Sequence, residues 1–192
     1  MPFITEGTDT VYAGDRLFRI DEDRFTDGAR RVTIDGLVGP PIPRQGFEST
    51  FTGLAESVGL PTGYRGYDLT HAWPHIWGSE TRAGIYLAPA ETNREFLTRS
   101  ENFVRDAWEG AGRLQGGWVE VQVTAVTHPS DAWHNTGANL LAQIEYDVSV
   151  CERGRVLEHY HWGLEIDPPR GAPGSVTMPG PPRPYGYLPG GD

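Results

Sequence analysis

The stretch that decides the fold runs from Ala90 to Gly110 and reads AETNREFLTRSENFVRDAWEG. Its large apolar residues recur at the i, i+7, i+8 and i+11 spacing that places side chains along one face of a helix. They are Phe96, Leu97, Phe103, Val104, Ala107 and Trp108. Pro89 suits the first turn, and Gly110 with Gly112 suits the end. The spacing therefore predicts one long amphipathic helix.

Strand patterns follow this helix. Trp118 to Val126 and Leu141 to Val150 alternate between apolar and polar residues with period two. The turn from Glu152 to Arg155 then leads into Val156 to Ile166, which is typical of the partner strand of a long hairpin. We predict an α+β fold in which a strand-loop-helix (ββα-like) hairpin and one long helix pack on an antiparallel sheet.

The remaining segments give the domain organisation. Residues 1–60 contain short apolar runs among Asp and Gly, with one or two helical turns at Ser49 to Val58, and we interpret them as an N-terminal arm or an auxiliary part of the core. Residues 61–166 form the predicted catalytic domain. Residues 167–192 hold 8 Pro and 6 Gly among 26 residues, which predicts a Pro/Gly-rich tail.

Composition limits the classes of function. The chain has 192 residues, a formal net charge of -10 and one cysteine, so a disulfide framework and a multi-thiolate zinc site are excluded. No apolar run is long enough to span a membrane, and the first residues lack the pattern of a signal peptide. We therefore expect a protein that is cytoplasmic in the producing cell or delivered by a secretion machine, with no membrane partner.

The residues that carry chemistry lie between Tyr67 and Glu101. His71 follows an extended segment, whereas Asn93 and Glu101 lie eight residues apart on the predicted helix, about 80° apart around its axis. An imidazole that accepts a proton from water and an oxygen ligand that holds Mg²⁺ against a phosphate are what phosphodiester hydrolysis requires. A packing role for His71, a helix-start role for Asn93 and a solvated surface role for Glu101 are the alternatives.

The order Asp68-Leu69-Thr70-His71, Leu87-Ala88-Pro89, Asn93, Glu101 resembles the motif of His-Me finger (ββα-metal) DNA/RNA non-specific endonucleases. It also resembles the polymorphic toxin type 4 C-terminal domain, over about residues 66–166. The resemblance implies that His71 is the general base, that Asn93 is the ligand of Mg²⁺ or another divalent cation, and that Glu101 orients metal-bound water. Asp68 would hold the loop or accept a hydrogen bond from His71.

The sequence departs from both families at Leu69, where they carry a basic residue. The phosphate contact would then come from nearby arginines, whose forked guanidinium suits phosphate. The candidates are Arg65, Arg82, Arg94 and Arg99. The resemblance implies a metal-dependent nuclease toxin that cleaves DNA or RNA in a competing bacterium, with a cognate immunity protein and a secretion-system carrier as partners.

Two other functions fit the residues. One is a metal-independent RNase, in which His71, His159 or His161 would act with Glu145 and Arg155 as acid, base and phosphate clamp. The other is a non-enzymatic interaction module, which the acidic charge and the Pro-rich tail allow.

Overall fold

The computed structural model describes residues 3–13, 16–43, 66–78, 81–129, 139–168 and 180–187. Within them, the predicted long helix is confirmed. We call it α1. It consists of Ala90–Thr92, a π-helical segment Asn93–Leu97, and Thr98–Ala111. Pro89 is its N-cap residue and Gly112 its C-cap residue.

The described strands form two sheets. They are β1 (Phe3–Ala13), β2 (Arg16–Phe25), β3 (Arg30–Leu37), β4 (Tyr67–His71), β5 (Ile85–Pro89), β6 (Gly117–Thr127), β7 (Leu141–Glu152), β8 (Arg155–Glu165) and β9 (Arg183–Gly186). The larger, antiparallel sheet has the order β1-β2-β3-β6-β7-β8-β9, and β4 pairs with β5. The α+β class with one long helix on an antiparallel sheet is therefore confirmed.

The sheet extends further than the sequence patterns indicate. The three strands predicted after the helix are present as β6, β7 and β8, and the β7–β8 turn has positive φ at Arg153 (48°) and Gly154 (79°). Residues 3–37 add three long strands to the same sheet, and Ile20, Val32 and Ile34 are buried. In the tail, β9 pairs with β8. The helical turns predicted at residues 49–58 lie outside the described residues.

Among the described residues, one face of the large sheet packs against α1, and the other, which we call the open face, carries half-buried and exposed polar side chains. Ile144, Tyr146, Val148 and Trp162 project from β7 and β8 into a core that they share with the apolar face of α1. Along β7 the buried residues alternate with half-buried polar ones, as expected for a sheet with a core face and a solvent face. The hairpin β4–β5 and α1 together make a ββα unit on the core side.

Among the described residues, no helix is both long and apolar enough to cross a bilayer.

Candidate active site

Among the described strands, β4 pairs with β5 alone, so its other side is the outer edge of this two-stranded sheet. The Ala72 N–H donates to the Gly84 carbonyl oxygen at 2.8 Å, just beyond the paired residues His71 and Ile85. Since hydrogen-bonded and non-hydrogen-bonded pairs alternate in an antiparallel ladder, Leu69 and His71 occupy non-hydrogen-bonded pairs. Their main-chain N–H and C=O groups therefore point away from β5.

Asn93 binds this edge. Its side-chain Nδ2 donates to the Leu69 carbonyl oxygen at 3.4 Å. Leu69 and His71 lie two residues apart on the same face of β4, which corresponds to about 7 Å along the strand. Asn93 lies inside the helix, where its side chain contacts β4 instead of capping the helix start.

The π-helical segment changes the direction in which Asn93 faces. The Thr98 N–H donates to the Asn93 carbonyl oxygen, as does the Thr98 hydroxyl at 3.0 Å. A π-type turn contains one extra residue, so the eight-residue interval from Asn93 to Glu101 rotates around the helix axis by about as much as seven residues of a regular α-helix. The two residues are then about 20° apart around the axis, with about 10 Å between them along it. They lie closer to one line along α1 than a regular helix would place them.

Glu101 lies at the other end of this line. Its carbonyl oxygen accepts a hydrogen bond from Trp77 Nε1 at 3.1 Å. Its carboxylate is half-buried, and its negative charge adds to the effect of burial, the larger cause, in raising the pKa of the Tyr146 phenol. The chain from Leu69 to Trp77 therefore runs beside α1 from the level of Asn93 to the level of Glu101. His71 lies within this segment. We call His71, Asn93 and Glu101 the β4–α1 site.

The other predicted site residues surround this site or lie outside the description. Asp68 forms an ion pair with Arg94 (3.7 Å), and the alternation of β4 places Asp68 on the opposite face from His71. The Arg94 side chain is 74% exposed and Arg99 is exposed too. Arg65 and the side chain of Arg82 are not among the described parts of the chain.

The sequence patterns missed the two tryptophans that bind α1 at and next to Glu101. Trp77 donates to the Glu101 carbonyl oxygen, and Trp162 Nε1 donates to the Ser100 hydroxyl at 2.8 Å in a buried hydrogen bond. Ser100 is a polar residue between Leu97 and Val104 on the apolar face of α1. A small polar residue among the apolar residues of a buried helix face indicates that a buried hydrogen-bond donor lies opposite it.

A second polar cluster occupies the open face of the sheet. His161 Nδ1 lies 3.0 Å from Asp147 Oδ1, and His159 Nε2 lies 3.6 Å from the same oxygen. Ser149 Oγ is 3.2 Å from His159 Nδ1. Both imidazoles are about half exposed. We call these four residues the open-face cluster. The antiparallel register of β7 and β8 produces it, because Asp147 pairs with His161 and Ser149 with His159.

The neighbourhood of the open-face cluster is mostly acidic and polar. A groove of about 720 Å³ includes Asp147 and Ser149 in its wall, together with Arg19 from β2. Glu145 accepts hydrogen bonds from Tyr185 (2.7 Å) and from Gln143. Arg155 lies at the hairpin turn, four residues or about 13 Å along β8 from His159.

The donor set of the β4–α1 site suits a hard cation that keeps much of its water. Among the residues described, no group of three or more His, Cys, Asp or Glu is arranged to hold a metal ion. Mg²⁺ commonly uses one or two protein oxygens and completes its shell with water and substrate phosphate. With Asn93 Nδ2 bound to Leu69, the amide oxygen Oδ1 is directed away from that carbonyl, and an amide oxygen is an atom type that Mg²⁺ binds.

No protein-family model, curated protein or solved structure matches this chain. A function must therefore be inferred from its own residues and their geometry.

Proposed function

We propose that this chain is a metal-dependent nuclease that hydrolyses phosphodiester bonds of DNA or RNA at the β4–α1 site. The observation that carries the proposal is the hydrogen bond from Asn93 to Leu69, two residues from His71 on the outer edge of β4. It fixes Asn93 against the strand that carries His71 within one ββα unit, and Glu101 lies further along the same side of α1.

In this mechanism, His71 accepts a proton from a water molecule while the water oxygen attacks phosphorus and the bond to the leaving oxygen breaks. Asn93 Oδ1 would hold Mg²⁺, which supplies stabilisation of the negative charge on the phosphate and the leaving oxygen. Glu101 accepts hydrogen bonds from water near the cation and fixes its orientation. The protein's part is to hold an acceptor, an oxygen ligand and a carboxylate in fixed relative positions.

The charge of the chain makes the local arginines important. A net charge of -10 opposes non-specific binding of a polyanion. Arg94 and Arg99 are exposed near the start of α1, and a bound divalent cation adds positive charge at the same place. We propose that these two side chains bind substrate phosphates, with Arg94 exchanging its ion pair with Asp68 for the substrate.

The biological setting of the proposal is antibacterial competition. Its support is the motif order in residues 66–101, which resembles toxin nucleases. A nuclease of this kind must be silenced in the cell that makes it, so we propose a cognate immunity protein that covers the β4–α1 site, and a secretion-system carrier for delivery.

The test uses purified protein with plasmid DNA and total RNA in the presence of Mg²⁺. We expect cleavage by the wild type and at least a hundredfold slower cleavage by His71→Ala, because general-base catalysis contributes about 10² to 10⁴. His75→Ala is the matched control, since His75 is a half-buried histidine on the short turn that follows β4. Unchanged activity in His71→Ala would falsify the role of His71.

A metal-independent RNase is the second candidate, and the shared contact of His159 and His161 with Asp147 favours it. One imidazole would take the proton of the ribose 2′-hydroxyl, whose oxygen attacks phosphorus, and the other would protonate the leaving 5′-oxygen, giving a cyclic phosphate. Cleavage of RNA alone that continues in EDTA, is lost in His161→Ala and is kept in His71→Ala would select this candidate.

A further inference from the structure

The hydroxyl of Tyr146 is fully buried, and it has no hydrogen-bond partner in the described part of the chain. A buried hydroxyl without a partner destabilises the fold, because it has lost its hydrogen bonds to water. Native structures usually satisfy such a group with a protein atom or an ordered water. The position of Tyr146 therefore calls for a bound partner.

The ring of Tyr146 lies between two tryptophans that both bind α1. It stacks on Trp162 with centroids 5.2 Å apart and meets the edge of Trp77 at 6.2 Å. Trp162 donates to the Ser100 hydroxyl, and Trp77 donates to the Glu101 carbonyl oxygen. These contacts place the ring opposite two consecutive residues of the helix.

The negative charge of the Glu101 carboxylate acts on the Tyr146 hydroxyl. Burial is the main reason that the pKa of Tyr146 lies well above its usual value, and the negative charge of Glu101 raises it further. Tyr146 is therefore a neutral phenol, which can donate one hydrogen bond. No direct bond joins the two side chains, because the Tyr146 hydroxyl has no protein partner among the described residues.

We propose that Tyr146 is a positioning residue for Glu101: its hydroxyl donates to one buried water, which in turn donates to the Glu101 carboxylate. A bridging water binds nearly as well as a direct hydrogen bond and would satisfy the buried hydroxyl. The link fixes the orientation of Glu101 at the β4–α1 site. This inference rests on the proposed function, in which Glu101 orients water near the cation.

The kinetic test compares two tyrosines. Tyr146→Phe removes the hydroxyl and keeps the ring, so we expect kcat to fall about tenfold with KM unchanged, as for the loss of a group that orients a ligand. Tyr86→Phe is the control, because Tyr86 is equally buried and its hydroxyl also has no partner among the described residues, yet its ring lies under Arg30. Equal kcat values for Tyr146→Phe and the wild type would overturn the positioning role.

A second test does not require activity. The shift in urea midpoint caused by Tyr146→Phe is measured in the wild type and in a Glu101→Ala background. We expect the two shifts to differ, because removal of the carboxylate removes the group to which the water donates. Equal shifts in both backgrounds would overturn the link. Unequal shifts in a protein that cleaves no nucleic acid would support the link and reject the proposed function. Tyr86→Phe should shift the midpoint equally in both backgrounds.

Discussion

Asn93 and Leu69 are joined by a hydrogen bond from the side-chain amide to the main-chain oxygen, 3.4 Å long, which ties the first turns of α1 to the outer edge of β4. This bond uses the nitrogen of the amide and leaves its oxygen facing another direction. It therefore orients the one side-chain atom of Asn93 that can bind a cation.

The same bond predicts a small effect of Asn93→Ala on stability. The bond is partly buried and of moderate length, so its loss should lower the free energy of unfolding by about 1 kcal/mol. Urea unfolding followed by far-UV circular dichroism measures this value. A variant that does not fold would show that Asn93 is structural, and its loss of activity would then carry no information on the metal.

Ser100 should contribute more to stability than its size suggests. Ser100→Ala leaves the buried Trp162 indole N–H without its acceptor, so we expect a loss of about 1 to 3 kcal/mol in the free energy of unfolding. Ser149→Ala, on the open face, is the control and should change it by less than about 0.5 kcal/mol. Equal effects of the two substitutions would argue against the Trp162–Ser100 bond.

Two glycines should respond in opposite directions to alanine. At Gly117 a Cβ atom would meet the Ala111 carbonyl oxygen and lie 2.9 Å from Leu114 Cβ, so Gly117→Ala should destabilise the fold by about 1 to 3 kcal/mol. At Gly110, inside α1, a Cβ would meet nothing within 4 Å, so Gly110→Ala should stabilise by about 0.5 to 1 kcal/mol. The melting temperatures of Gly117→Ala, Gly110→Ala and the wild type, measured under the same conditions, test both predictions. A neutral Gly117→Ala would contradict the close approach of α1 and β6.

His128 should make stability depend on pH. Burial lowers the pKa of His128 to about 4, and the negative charge of Asp167 raises the pKa by a smaller amount. Between that pH and about 6.5 the unfolded chain binds a proton that the folded chain does not, so stability is complete above about pH 6.5 and falls as pH falls towards 4. The loss should approach about 3 kcal/mol.

The measurement for His128 is the free energy of unfolding at several values between pH 4.5 and 7, for the wild type and for His128→Gln. The variant should show a shallower slope, because the carboxylates that also titrate here are common to both proteins. Parallel slopes would show that His128 is accessible to protons in the folded state.

The sequence predicted the helix and the strands whose own apolar residues have a regular spacing. The helix from Ala90 and the strands β6 and β7 follow from apolar periods of 3.6 and 2 within the elements themselves, and β8 follows from the turn that precedes it. The long strands of residues 3–37 carry many charged residues, and the pairing of β3 with β6 is a contact between distant parts of the chain. Such pairing leaves little signal in the sequence of one partner.

The candidate site was predictable in its residue types and less so in its arrangement. The interval between Asn93 and Glu101 gives about 80° on a regular helix, whereas the π-helical segment brings the value to about 20°. No residue type in Asn93–Leu97 requires that segment. The pairing of Asp68 with Arg94, and the contact of Asp147 with His159 and His161, likewise depend on strand register.

The most direct test of the central claim is cleavage of plasmid DNA and total RNA by the wild type and by Asn93→Ala, each with Mg²⁺ or with EDTA. We predict cleavage by the wild type in Mg²⁺ only, and a loss of at least a hundredfold in folded Asn93→Ala, because the cation would lose its side-chain oxygen ligand. Equal cleavage by the two proteins in Mg²⁺, or undiminished cleavage in EDTA, would contradict a metal-dependent nuclease at the β4–α1 site.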